Sequence, residues 1–121
     1  MAQPESRLSR AILTEIRNRG GFAFKVHGGP LMMVGLPDIV ACYRGRFLAL
    51  ETKMPAGALH GRQAYVLRAI ERAGGVVAVP RSVPDAREVL RAIDEGGACV
   101  EWPRDALSAR LRPHQADDDG A

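Results

Sequence analysis

With 121 residues, 46% apolar and 26% charged, the chain reads as one soluble globular domain, long enough for a core and too short for two. No apolar run approaches the ~20 residues that span a bilayer, and the start lacks the basic stretch and apolar centre of a secretory leader, so membrane and export roles are set aside. A net charge of +3 and a pI near 9.3 allow a polyanionic partner without requiring one.

In chain order, Pro4-Glu5-Ser6 opens a helix whose apolar positions Leu8, Ala11, Ile12 and Ile16 recur at helical spacing until Gly20-Gly21. Residues 22–26 alternate as a first strand, and His27-Gly28-Gly29-Pro30 breaks it before a loop containing Met32 and Met33, expected to pack. Two apolar runs, 39–43 and 47–50, flank Arg44-Gly45-Arg46 and predict a hairpin. A second helix is expected over 60–73, with Ala64, Leu67 and Ile70 on its apolar face, stopped by Gly74-Gly75. The wholly apolar Val76-Val77-Ala78-Val79 predicts a buried strand. Residues 84–95 predict a third helix, 98–102 a last short strand, and 113–121 a flexible acidic tail beyond a single domain of residues 1–112. Cys42 and Cys99 lie in apolar strand-like contexts and are expected to be small buried thiols in a reducing cytoplasm.

The order α-β-β-β-α-β-α predicts an α/β fold, a small mixed central sheet flanked by helices. Both faces of the hairpin are apolar: Val40, Cys42, Phe47 and Ala49 on one, Ile39, Ala41, Leu48 and Leu50 on the other. Covered faces imply central strands.

The register of that hairpin carries the chemistry. With Arg44-Gly45 as a two-residue turn, Tyr43 pairs with Arg46, and counting outward sets Asp38 opposite Glu51. Opposed residues have Cβ atoms roughly 4.5–5.5 Å apart. Lys53 shares the face of Glu51 because side chains alternate with period 2. Two carboxylates and an ammonium therefore meet at the open end of the hairpin, ~20 Å from Arg44 and Arg46 at its tip. Of fifteen arginines and two lysines, the chain places a lysine here. A compact ammonium differs from a forked guanidinium in how it can orient water. Mg²⁺, usually held by one or two carboxylates plus waters and substrate phosphate, suits Asp38 and Glu51, with the backbone carbonyl of Thr52 completing the protein's share. Such a cation would polarise a phosphodiester and acidify a bound water, while Lys53 orients that water or neutralises transition-state charge. Lys25, His27 and Gly28 are candidate substrate contacts.

Gly35-Leu36-Pro37-Asp38-Ile39, then Gly45-Arg46-Phe47-Leu48-Ala49-Leu50-Glu51-Thr52-Lys53, resembles the PD-(D/E)XK nuclease superfamily. More narrowly, with Lys25-Val26-His27-Gly28-Gly29, Gln63 and Ala73-Gly74-Gly75, the chain resembles the VRR-NUC family, in particular its small standalone phage and bacterial members, over residues 5–95. The resemblance implies a metal-dependent endonuclease using Mg²⁺ or Mn²⁺, with Asp38, Glu51 and Lys53 matching the core residues and Gln63 the helical glutamine. It also implies a glutamate on the first helix. Glu5 falls near the centre of the inward face in helical projection and Glu15 at its edge, so Glu5 is preferred. The expected partner is DNA, structure-selectively cut in replication or repair, together with replication or repair proteins. A chain this small predicts a homodimer on such a substrate. Residues Leu59-His60-Gly61-Arg62 lack the Ser or Thr that usually caps the family's next helix. The competing reading is a non-catalytic nucleic-acid-binding module that keeps the fold.

Overall fold

Two of the chain's four Gly-Gly pairs, Gly20-Gly21 and Gly74-Gly75, each end a helix in the same way. The computed structural model describes residues 4–96 and, further on, the strand residues 100–101 and 110–111. Helix α1 (Pro4–Asn18) ends where Gly20 takes φ +90°, so that Gly21 N–H reaches back to Ile16 O at 2.9 Å and Gly20 N–H to Arg17 O at 3.0 Å. Helix α2 (Gly61–Arg72) repeats the device with Gly74 at φ +106° and Gly75 N–H on Ile70 O at 3.0 Å. These paired back-bonds satisfy last-turn carbonyls and need a left-handed residue that only glycine adopts cheaply.

Between and after them lie β1 (Phe22–Lys25), β2 (Ile39–Tyr43), β3 (Arg46–Leu50), β4 (Val76–Ala78), α3 (Val83–Asp94), β5 (Val100–Glu101) and β6 (Arg110–Leu111). The main sheet runs β1-β2-β3-β4, antiparallel except for the β3–β4 pair, which α2 connects as a parallel crossover. This is the α/β, mixed-sheet architecture expected from the sequence. The hairpin register is also as predicted, Tyr43↔Arg46 through Ile39↔Leu50, because Arg44 (φ 52°) and Gly45 (φ 76°) form the two-residue turn that leaves no slack. Strand β5 lies within the expected 98–102, whereas β6, its antiparallel partner, was not anticipated: two residues carry no readable periodicity. The expected tail and Cys99 lie outside the described residues. Among the described residues no helix is long and apolar enough to cross a membrane.

The core lies under one face of the sheet. Ile12 and Ile16 of α1 and Val89, Leu90 and Ile93 of α3 bury Ile39, Ala41, Tyr43, Leu48 and Leu50. Tyr43 donates its hydroxyl to Asp94 at 2.8 Å, and Arg44 adds a 2.9 Å ion pair to the same carboxylate, tying the hairpin tip to α3. Ala11 is exposed and Leu13 takes its place on the buried face.

The other face departs from expectation. Among the described elements α2 alone lies on it, over β3 and β4, so Ala49 is buried while Phe22, Phe24, Cys42 and Phe47 remain exposed. The register sets Phe22 beside Cys42 and Cys42 beside Phe47, and the Phe22 and Phe24 rings meet edge-on at 6.1 Å. Cys42 is therefore an exposed free thiol and not the buried residue predicted. The free edge of β1 is blunted, since Arg17 donates to Ala23 O at 2.8 Å.

Candidate active site

Past Leu50 the chain of β3 stays extended, and its N–H groups alternate between two neighbours. Glu51 N–H donates to Ala78 O and Lys53 N–H to Pro80 O, prolonging the pairing with β4. Thr52 N–H, pointing the other way, finds no β2 backbone opposite and donates instead to Asp38 Oδ2 at 3.0 Å. The Asp38 carboxylate thus takes the position of a strand partner where β2 begins, and Asp38 O accepts from Val26 N–H at 2.7 Å. Thr52 Oγ1 donates a second, 2.7 Å bond to the same Oδ2. Having given its one proton there, Thr52 Oγ1 accepts from the Ser9 hydroxyl at 2.9 Å, so the order Ser9→Thr52→Asp38 follows from proton count.

Alternation sends Glu51 and Lys53 to the α2 side. Glu51 is 3% exposed, yet it carries a carboxylate. Gln63 Nε2 donates to Glu51 Oε2 at 2.8 Å, and the same amide accepts from His60 N–H at 3.0 Å through Oε1. Gln63, at the third helical position, thus makes the return bond of a capping box onto the N–H of His60, the residue that stands where a capping Ser or Thr is usual. Lys53 Nζ stands 3.7 Å from Glu51 Oε2. Glu51 Oε1 is buried with no hydrogen-bond partner among the described residues. Burial first, and the nearby Asp38 carboxylate second, push the Glu51 carboxyl up to about 7, against a smaller downward pull from Lys53.

The structure brings Asp38, Glu51, Thr52, Lys53 and Gln63 together. Glu5 is exposed, one helical turn before Ser9, and its charge is among those that raise the Glu51 carboxyl. Glu15 is elsewhere, paired with Arg19 at 3.1 Å and Arg87 at 3.3 Å. Among the described residues no three His, Cys, Asp or Glu side chains converge as a metal cluster. Lys25 ends β1 opposite Ile39, while His27 and Gly28 are exposed in the loop that follows. Met32 and Met33, expected to pack, are exposed in that loop. Ser9 and the Thr52 hydroxyl escaped the sequence reading. Their signal was a polar residue inside the apolar stripe of α1, between Leu8 and Ile12.

A valine at Thr52 keeps the shape and removes both hydroxyl bonds. Thr52→Val should cost about 1–3 kcal/mol, because it strands the buried Ser9 hydroxyl and takes a donor from Asp38. Ser9→Ala should cost less, since Thr52 still donates to Asp38. Urea unfolding midpoints of the two variants check the order; equal losses would refute the relay.

No family model and no curated protein matches the chain in sequence. Solved structures do match in fold. One, a VRR_NUC domain, superposes with a TM-score of 0.65 at 20% identity, over 74% of this chain and 97% of that one. Another is Hjc of Archaeoglobus fulgidus, a Holliday junction resolvase, with a TM-score of 0.49 at 28% identity over 64% of this chain and 70% of that one. The chain has the fold of a VRR_NUC domain, with Asp38, Glu51 and Lys53 at the end of its central strands.

Proposed function

We propose that this protein is a metal-dependent endonuclease that hydrolyses DNA phosphodiesters, selecting branched, flapped or junction structures in replication or repair. The observation that carries the reading is Glu51: a buried carboxylate beside Asp38 and Lys53, with one oxygen held by Gln63 and the other without a hydrogen-bond partner among the described residues. A divalent cation answers both the orphaned oxygen and the mutual repulsion of the two carboxylates, so the residues present fit Mg²⁺ or Mn²⁺. Asp38, Glu51 and the Thr52 carbonyl would hold it, and it would supply Lewis-acid polarisation of the phosphodiester and an acidified water.

The chain's own groups do the rest. Thr52 fixes Asp38 through Oδ2, and Gln63 fixes Glu51 through Oε2, so neither carboxylate reorganises when substrate binds. Lys53 presents its ammonium beside them to orient the attacking water or to neutralise charge developing on the phosphoryl oxygens. Glu5 at the start of α1 adds negative charge that favours a cation. Lys25, His27 and Gly28 lie at the same end of the sheet for substrate contact. The active form is a homodimer, because one small chain offers little surface to a branched duplex. The open sheet face of Phe22, Phe24 and Phe47 is the apolar surface two copies would bury, and a monomer mass by light scattering would remove that part.

Purified protein should cut flapped or branched DNA with Mg²⁺ or Mn²⁺ and not with chelator, and Asp38→Ala should abolish the cutting. Cleavage that persists in Asp38→Ala sinks the mechanism. Salt-sensitive DNA binding without any cleavage would favour the non-catalytic binding module.

A further inference from the structure

The loop between β1 and β2 presents four consecutive apolar side chains to solvent. Leu31 is 99% exposed, Val34 70%, Met33 60% and Met32 45%. A side chain as open as Leu31 contributes nothing to the core, and a run of exposed apolar residues is a solubility liability unless it meets a partner. Their position is not arbitrary. The loop leaves and rejoins the sheet at the end that carries Asp38, where Val26 N–H on Asp38 O closes its base. A turn with Met32 N–H on Gly29 O at 3.0 Å shapes its tip.

Its far limb is fastened to the candidate site through α2. Arg62 Nε donates to Val34 O at 3.3 Å. Gly35, at φ +87°, lies so close to Arg62 that an added Cβ would fall 2.7 Å from Arg62 Cγ and 2.8 Å from its carbonyl oxygen. The next residue, Gln63, holds Glu51. One turn of helix thus positions both the carboxylate and the apolar tip. Lys25 and His27 on the near limb, and Arg62 of α2 held against the far limb, add cationic or protonatable groups suited to phosphates.

From this geometry we infer that residues 31–34 form a wedge that seats against unstacked bases at a discontinuity in the duplex, beside the phosphate to be cut. This rests on the nucleic-acid reading above and deepens it by naming what selects the substrate. A continuous duplex shows its base faces to nothing, whereas a branch, flap or nick exposes them. Leu and Met are among the side chains that wedge between base steps, and the cost of unstacking is least where stacking is already broken.

The test uses 2-aminopurine placed at the branch point of a flapped DNA or at mid-arm, with Ca²⁺ in place of Mg²⁺ so that binding is read without turnover. The wild-type protein should raise fluorescence at the branch at least twofold and leave the mid-arm probe unchanged. Leu31→Ser/Met33→Ser, on exposed positions that spare the Val34 anchor, should abolish the rise and lower the branched-to-linear cleavage ratio in Mg²⁺ at least tenfold. No rise with wild-type protein, or a variant that keeps both the rise and the ratio, overturns the wedge. So does a variant whose only change is a lower mass by light scattering, which would make the loop a contact between copies. A branch-specific rise lost in the variant, from a protein that cuts nothing with Mg²⁺ or Mn²⁺, upholds the wedge while the nuclease reading fails.

Discussion

Glu51→Gln is expected to lower cleavage on the order of 100- to 1,000-fold and, without metal, to make the protein more stable than wild type above pH 7. The two effects share one cause. In the folded protein the Glu51 carboxyl titrates at about 7, against 4.5 as its ordinary value, because burial and Asp38 oppose its charge. The folded state therefore binds that proton more tightly than the unfolded state. Stability from this group is fully present below about pH 4.5 and is lost as pH rises through about 7. The difference is worth roughly 3 kcal/mol as an upper figure. Glutamine is neutral at every pH and can still meet Gln63, so the variant should lack this decline. Mg²⁺ or Mn²⁺ should stabilise the wild type at pH 8 and leave Glu51→Gln unmoved. Thermal melts from pH 5 to pH 8, with and without metal, check this. Parallel pH profiles for the two proteins would mean that Glu51 is not the strained group.

Lys53→Met should lower the cleavage rate on the order of 100-fold or more and move the acid limb of its pH profile upward. Lys53 is nearly buried, and its ammonium 3.7 Å from Glu51 Oε2 is the largest of the influences that favour the ionised carboxylate, ahead of the Asp38 backbone N–H. Methionine fills the volume and removes the charge, so Glu51 gives up its proton only at higher pH. Below pH 6, where Glu51 is protonated, the folded protein should tolerate the change better than at pH 8. Lys53→Arg restores charge, but a planar fork cannot stand in the space of a compact ammonium, and it should recover less than about a tenth of the lost rate. A Lys53→Met profile lowered uniformly, with no shift of its acid limb, would leave Lys53 a role in transition-state charge alone.

The strand end that holds these residues was readable because a hairpin is local. Arg44-Gly45 admits one pairing, and the apolar runs on either side agree with it, so Asp38 is expected opposite Glu51 without tertiary information; that its carboxylate settles on Thr52 was not legible. The helix ends were equally legible, since a Gly-Gly pair after a helical stripe satisfies last-turn carbonyls wherever the helix packs. The exposure of Cys42, Phe22, Phe24 and Phe47 was not legible. Alternation reports that both faces of β2 and β3 are apolar, but how many helices lie on each face is a matter of packing, and among the described elements only α2 lies on theirs. The same limit hid Ser9, whose partner Thr52 is 43 residues away.

By itself, the sequence determined the order of elements, the hairpin register and the meeting of Asp38, Glu51 and Lys53, all consequences of short-range backbone geometry and side-chain period. Tertiary structure alone decided the rest. It set the Ser9–Thr52–Asp38 relay, turned Gln63 onto Glu51, sent Glu15 to Arg87, and left the 31–34 loop open beside the site. Those contacts join elements distant in the chain, and their geometry depends on how helices settle on a sheet, which no local pattern encodes.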